Sequence, residues 1–292
     1  LRSSGVRRNC VFFLHIPFPP PDIFLKLPWR EEFLKDFLEY DFVGFQTMRD
    51  RRNFTDCLKA LLPDSRVTGR GPVATVTAGE RRVRVAAMPI SIDYRSFRDT
   101  AKSAKVNRIL KELKSQVPWE NIAIGVDRLD YTKGIPQRIR AFGEACRSFP
   151  ELRGKIALIQ IVVPSREDVP AYQELREEIE KLVSSVNGEF STPGWIPIHY
   201  MHKSVSREEL AAYYRLADIA LVTPLKDGMN LVAKEYCACQ VDDNGVLILS
   251  EFAGAAAQMH RSAILVNSYD IQGMADAIHE AVQMPLEKRK SR

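Results

Sequence analysis

The sequence has few of the residues that usually carry metal or disulfide chemistry. Cysteine is scarce: Cys10, Cys57, Cys146, Cys237 and Cys239 form an odd set of five without a C-x-x-C pair. That excludes a disulfide framework and reads as reduced, buried thiols in a cytoplasmic protein. Histidine is as thin, and His15, His199, His202, His260 and His279 lack metal-ligand spacing, so no metal site is expected. No apolar run approaches the roughly 18 residues of a membrane span. No signal-peptide pattern precedes the first strand pattern, and no membrane partner is expected. Charge excess is small, +5 and spread along the chain, which argues against a nucleic-acid partner and suits a phosphorylated small molecule better. No repeat or low-complexity segment occurs. What remains, 45% apolar and 27% charged residues, is the composition of a globular protein.

At 292 residues the chain exceeds the size at which one core usually stops growing, so two domains are expected. Cys10 to Leu14 reads as a strand in mid-stride, and since the chain opens on Leu1 it is read as a fragment. Prolines at 17, 19, 20 and 21 forbid helix and fix a rigid loop after His15. Short helices are expected over 22–27 and 30–39, a strand over 42–45, a helix over 49–62, and a hairpin from 73–77 and 82–88 around Ala78-Gly79-Glu80. A Lys-rich helix from Lys102 to Gln116 marks the domain boundary, dividing 1–117 from 118–292. From Asn121 the pattern becomes regular. Six short apolar strands (122–126, 156–163, 195–200, 219–223, 246–249, 264–266) alternate with helical patterns at 134–147, 170–186, 207–216, 230–239, near Ala255, and at 271–282. Ser206 with Glu209 makes a capping box. The fold class is α/β, with a six-stranded parallel sheet and crossover helices.

The polar groups of interest sit where strands end. Ile219 to Thr223 is a buried-strand run, Asp227-Gly228 a turn, and Asn230 the opening of a helix. Free N–H groups and the helix dipole attract an anion at such a junction. Asp227 and Glu235, eight residues apart, add acceptors for hydroxyls, which fits a sugar attached to a phosphate. The alternative is an Asp-Gly turn and a surface Glu. Earlier, Arg128 and Lys133 place two cations five residues apart across a turn, able to hold a diphosphate or to remain a solvated pair. Arg166 could hold another phosphate or pair with Asp168. His15 could donate to a ligand or simply bond to its own loop.

At these positions the sequence resembles the trehalose-6-phosphate synthase family (glycosyltransferase family 20, GT-B fold). The motifs are His15-Ile16-Pro17-Phe18-Pro19, Gly44-Phe45-Gln46-Thr47, Val126 to Gly134, Pro164-Ser165-Arg166 and Thr223 to Glu235. The resemblance covers nearly the whole chain. It implies two facing Rossmann-like domains, the first incomplete at its N-terminus, and a retaining transfer of glucose from UDP-glucose to glucose 6-phosphate. It implies no metal and no cofactor beyond UDP-glucose as co-substrate. Carried over by motif, Arg128 and Lys133 bind the donor diphosphate and Arg166 the acceptor phosphate. Asp227 holds glucose hydroxyls, the segment Met229, Asn230, Leu231, Val232, Ala233 and Lys234 approaches the donor, and Glu235 binds the ribose. His15 lies beside the glucose and helps to select the anomer. Front-face displacement is implied, with no side-chain nucleophile.

Two departures accompany the resemblance. Val205 stands at the backbone contact to uracil, where an aromatic residue is more usual, which leaves the donor base open. The family's glycine-rich donor loop and its acceptor-binding residues upstream of His15 have no counterpart, so the chain alone is expected to bind UDP without turnover. A glucosylglycerol-phosphate synthase using ADP-glucose and glycerol 3-phosphate, a non-catalytic sugar-phosphate sensor, and a homo-oligomer stay open as alternatives.

Overall fold

The structure, a computed structural model, describes residues 9–166 and 168–291. The chain divides between Ile90 and Ser91 into two compact units, each with its own core. The first contains β1 (Val11–Leu14), α1 (Pro21–Phe24), α2 (Arg30–Phe37), β2 (Phe42–Phe45), α3 (Met48–Leu61), β3 (Ser65–Thr68), β4 (Val73–Ala78) and β5 (Arg81–Ala87). Its sheet runs β1-β2-β5-β4-β3, with β1, β2 and β5 parallel and β3, β4 and β5 antiparallel. The expected hairpin is β4–β5, turning on Gly79 at φ +59°, a backbone angle that glycine adopts without steric cost. Pro21 differs from expectation. It opens α1 at the first helical position, where its missing N–H costs nothing. The strand β3 escapes a pattern reading because Val67 is its one strongly apolar residue. The loop after His15 is rigid for two reasons. Phe18 is buried against Phe24, Phe45 and Phe54, and its backbone is held by Asp50 and Asn53 of α3 at 3.2 and 2.8 Å.

The second unit opens with α4 (Tyr94–Lys102) and α5 (Ala104–Gln116). There follow β6 (Asn121–Arg128), α6 (Ile135–Ser148), β7 (Ile156–Val163), α7 (Pro170–Phe190), β8 (Ile198–His202), α8 (Arg207–Leu216), β9 (Ile219–Val222), α9 (Leu231–Cys239), β10 (Val246–Ser250), α10 (Ala256–Met259), β11 (Ile264–Val266), α11 (Ile271–Gln283) and α12 (Leu286–Lys290). The six strands are parallel throughout, in the order β11-β10-β9-β6-β7-β8. Both faces are apolar, as a sheet covered by helices on two sides requires. Ala123, Leu158, Ile219, Leu221 and Ile248 pack toward α6, α7 and α11. Ile122, Ile124, Ile161, Ala220, Val222 and Leu247 pack toward α5, α8 and α9. The Ser206–Glu209 capping box is formed and sets the start of α8. The third strand of this sheet begins at Ile198 rather than 195, because Trp195 turns into the core and donates its indole N–H to the Ile156 carbonyl at 2.8 Å.

The unit boundary lies earlier than the charge pattern placed it. The expected Lys-rich helix is α5, capped by the Ser103 side chain, and α4 leads into it. Under its exposed lysines runs an apolar stripe. Ala101, Val106 and Leu110 are buried in the same core as Ala211, Ala212 and Tyr214 of α8. Arg215 of α8 adds hydrogen bonds to the Ala101 carbonyl at 3.0 Å and to Asn107 at 2.6 Å. A cluster of surface charge says nothing about the face beneath it. Val106→Asp should therefore lower the unfolding free energy by roughly 3–5 kcal/mol, the cost of an unpaired buried charge. Lys111→Ala, on the exposed face of the same helix, should change it by less than about 0.5 kcal/mol. Urea denaturation followed by circular dichroism measures both; equal small changes would detach α5 from this core.

Candidate functional site

Chain order in the second sheet reverses between β6 and β9: β6, β7 and β8 extend one way and β9, β10 and β11 the other. At such a switch point the two adjoining loops leave in opposite directions and open a crevice beyond the carboxyl ends of the strands. Arg128 ends β6 and the loop after it carries Lys133, while the loop after β9 carries Asp227, Met229 and Asn230. Two of the three motif-bearing strand ends thus flank the switch point. The third, carrying Arg166, follows β7, whose Val163 pairs in register with Arg128.

The two flanking loops are sewn together. Leu225 N–H donates to the Thr132 carbonyl at 2.8 Å. Gly134, at φ +65°, lies so close beneath that a Cβ would strike the Thr223 carbonyl oxygen. Asp130 braces the first loop, accepting from Thr132 N–H at 2.8 Å and from its hydroxyl at 2.7 Å. Across the gap, Lys133 Nζ meets Asp227 Oδ2 at 2.6 Å, with the side chains only 16% and 14% exposed. Asp227 Oδ2 also accepts from Asn230 Nδ2 at 3.2 Å, and Oδ1 from Met229 N–H at 3.3 Å. From the far side, Asp227 N–H and C=O bond to Phe252 and Gly254 at 3.3 and 3.0 Å. Any side chain at 254 would collide with the Gly228 carbonyl.

Asn230 caps α9. Its backbone takes φ +71°, ψ 96°, and its side chain accepts from Ala233 N–H at 3.4 Å. The N–H groups of Leu231 and Val232, in the first turn, have no acceptor within the helix and carry the positive end of its dipole. Lys234 and Glu235 follow, both half-buried. Burial pushes the Lys234 ammonium down. Burial pushes the Glu235 carboxyl up, while the Tyr214 hydroxyl donating at 3.2 Å pulls it back. Val205, between β8 and α8, packs against the second core.

The other expected residues are placed less closely. Arg128 is exposed at the end of β6 and has no hydrogen-bond or ion-pair partner among the described residues. Arg166, at φ +50°, donates to the Tyr172 hydroxyl at 3.0 Å and lies 5.7 Å from that ring. It does so instead of pairing with Asp168. His15 belongs to the first unit, exposed at the end of β1 and edge-on to Phe13 at 4.9 Å. The structure therefore gathers Lys133, Asp227, Met229 and Asn230 into one bonded cluster, with Arg128 exposed at the end of the preceding strand.

Sequence reading missed what lies under that cluster, a buried ion pair between Arg138 of α6 and Asp127 of β6 at 2.6 Å. Burial pushes the Asp127 carboxyl up, and the Arg138 guanidinium opposes that shift. The signal was available. Arg138 stands between Ile135, Ile139 and Phe142 on the buried stripe of a helix, and Gln160 interrupts an otherwise apolar strand. A polar residue at such a position needs a partner inside.

Comparison with known proteins agrees with this geometry. The profile of Glycosyltransferase family 20 matches residues 1–292. A Mycobacterium avium (strain 104) protein named trehalose-6-phosphate synthase is 44% identical over 288 residues, covering 96% of this chain and 58% of that protein. The crystal structure of an alpha,alpha-trehalose-phosphate synthase (UDP-forming) from Burkholderia xenovorans, in complex with glucose-6-phosphate, superposes with a TM-score of 0.94. It is 40% identical and covers all of this chain and 64% of that one. An E. coli structure bound with UDP-2-fluoro glucose gives a TM-score of 0.89 and 41% identity, with 100% and 64% coverage. The chain thus spans less than two thirds of the length of these relatives. With Rossmann-like α/β units of the GT-B class and a profile match over its whole length, the chain belongs to glycosyltransferase family 20.

Proposed function

We propose that this chain forms the nucleotide-sugar side of a retaining glucosyltransferase that moves glucose from UDP-glucose to glucose 6-phosphate, releasing UDP and trehalose 6-phosphate. The observation that carries the reading is the Lys133–Asp227 pair at the N-terminus of α9, beside the switch point of the parallel sheet. Cations and helix N–H groups suit a diphosphate, and a fixed carboxylate suits sugar hydroxyls. The relatives' names and their glucose-6-phosphate and UDP-2-fluoro glucose complexes favour this reading over an ADP-glucose enzyme or a sensor.

In this reading Arg128 and Lys133 bind the donor diphosphate and neutralise the charge that grows on the departing UDP. Asp227 orients the transferred glucose, the backbone of residues 229–234 lines the donor, and Glu235 takes the ribose. Val205 offers its backbone to the base, and Arg166 binds the acceptor phosphate. The role of His15 in anomer selection rests on the family resemblance. The bond from the anomeric carbon to UDP breaks with its electron pair on the phosphate oxygen. The acceptor hydroxyl forms the new bond on the same face, and its proton passes to that oxygen. The cations and the helix dipole meet the charge on the leaving group, so the reading includes no metal and no further cofactor. A cytoplasmic location belongs to it, supported by five unbridged thiols.

In a full-length enzyme containing this chain, Arg128→Ala and Lys133→Ala should each slow transfer by roughly 10²–10³, the range for removing one transition-state charge contact. UDP release in the presence of glucose 6-phosphate reads this out, and a loss below about fivefold in both would refute the donor assignment.

For the acceptor, Arg166→Ala should weaken glucose 6-phosphate binding by about 1.5–3 kcal/mol, the worth of a hydrogen bond to a charged group. UDP affinity should barely move. Calorimetric titration of both ligands distinguishes this from a general loss, in which the two affinities fall together.

A further inference from the structure

Arg138 is the most completely buried charge among the described residues of the second unit, its side chain 1% exposed. All three guanidinium nitrogens are engaged. Nε donates to Thr223 Oγ1 at 3.1 Å, one terminal nitrogen to Asp127 Oδ2 at 2.6 Å and Gln160 Oε1 at 3.1 Å, and the other to the Lys133 carbonyl at 3.4 Å. Room for the fork comes from Gly125, where a Cβ would lie 2.6 Å from the Arg138 terminal nitrogen. Gln160 is itself fixed, its amide donating to the Gly125 carbonyl at 3.1 Å.

Stability is a weak reason for such an arrangement, because replacing a buried ion pair by well-packed apolar residues is often neutral or stabilising. The partners point elsewhere. Asp127 directly precedes Arg128 at the end of β6, and Lys133 is the cation facing Asp227. Thr223 begins the loop that leads from β9 to Asp227. One rigid planar group therefore touches both strand ends at the switch point and the backbone of the residue between them. A lysine carries three donors on a single nitrogen and cannot reach the four acceptors that the three separate nitrogens of the fork do.

We infer that Arg138 is a positioning residue, which holds the loops after β6 and β9 at a fixed separation so that the Lys133 ammonium meets the diphosphate of a nucleotide donor. The inference rests on the proposed reading of Lys133 as a diphosphate contact and deepens it. Arg138 touches no substrate; it acts through Lys133.

The test is a double-mutant cycle on this chain, with UDP titrated calorimetrically and uridine, which lacks the diphosphate, followed by ligand-observed NMR. Lys133→Ala should weaken UDP binding roughly 10- to 100-fold. Arg138→Lys, which keeps the charge but loses the fork, should weaken it about 5- to 20-fold, and by less than about 2-fold once Lys133 is already alanine. Uridine affinity should stay unchanged in every variant. Should Arg138→Lys fail to fold, Thr223→Val decides: it removes only the hydroxyl facing Nε and should give the same pattern at about 2- to 5-fold. Parallel losses of UDP and uridine, or an Arg138→Lys penalty that persists in full beside Lys133→Ala, would show general structural damage and overturn the inference. An unchanged UDP affinity in Lys133→Ala would remove the donor reading first, and the inference with it.

Discussion

A parallel sheet buried on both faces can offer polar chemistry only at its ends. In the second unit the inner strands are committed to packing, with side chains alternating between the two cores. Two polar exceptions, Asp127 and Gln160, are bonded to Arg138 inside, and the edge strand β8 carries His199, Tyr200 and His202. The chemistry is therefore displaced to the carboxyl edge, where helix N-termini begin and backbone N–H groups stand free. Chain topology then chooses where along that edge a ligand fits. The reversal between β6 and β9 parts two loops that would otherwise crowd one another.

The parting has to be limited, since an open crevice with floppy walls binds poorly. Close backbone approaches supply the limit. Glycines at 134 and 254 let the loop from 223 to 230 be gripped from both sides, by the loop after β6 and by the turn after β10. The positive φ of Asn230 belongs to the same constraint. The chain must turn sharply to begin α9 while keeping the Asn side chain on the Ala233 N–H, and asparagine tolerates the left-handed region better than most residues.

Much of this was legible in the sequence because the signals are local. The short apolar runs from Ile122 to Val266 became the six parallel strands, and the Ser206–Glu209 capping box formed. The Asp-Gly turn before Asn230 led into a helix, as its residues implied. What was not legible depends on partners distant in sequence. The charged surface of α5 hid the stripe of Val106 and Leu110 that joins it to α8, so the unit boundary was read too late. The edge strand β3 alternates in burial, but Val67 is its one strongly apolar residue, so the alternation does not show in the sequence. Arg138 lies 85 residues from Thr223 and 22 from Gln160, and no periodicity links such positions. That Lys133 and Asp227, 94 residues apart, share one site followed from the strand-end rule, whereas their direct ion pair did not.

An ion pair between the two central residues looks at first like a site that has neutralised itself. Counting donors and acceptors gives the opposite conclusion. The Lys133 ammonium has three N–H donors, of which Asp227 takes one. A carboxylate has about four lone-pair sites; Lys133, Asn230 and the Met229 N–H occupy three at Asp227. Two donors and one acceptor are left for a ligand, on groups whose orientation is already fixed. Arg128 has no partner among the described residues, and the two strand-end segments carry Arg128, Lys133 and Lys226 against Asp130 and Asp227, so the pairing leaves a net positive field beside the dipole of α9. The pair thus aims its two members without cancelling them, and a diphosphate arriving with its sugar would find the cation and the hydroxyl acceptor separated by a distance the fold has already set.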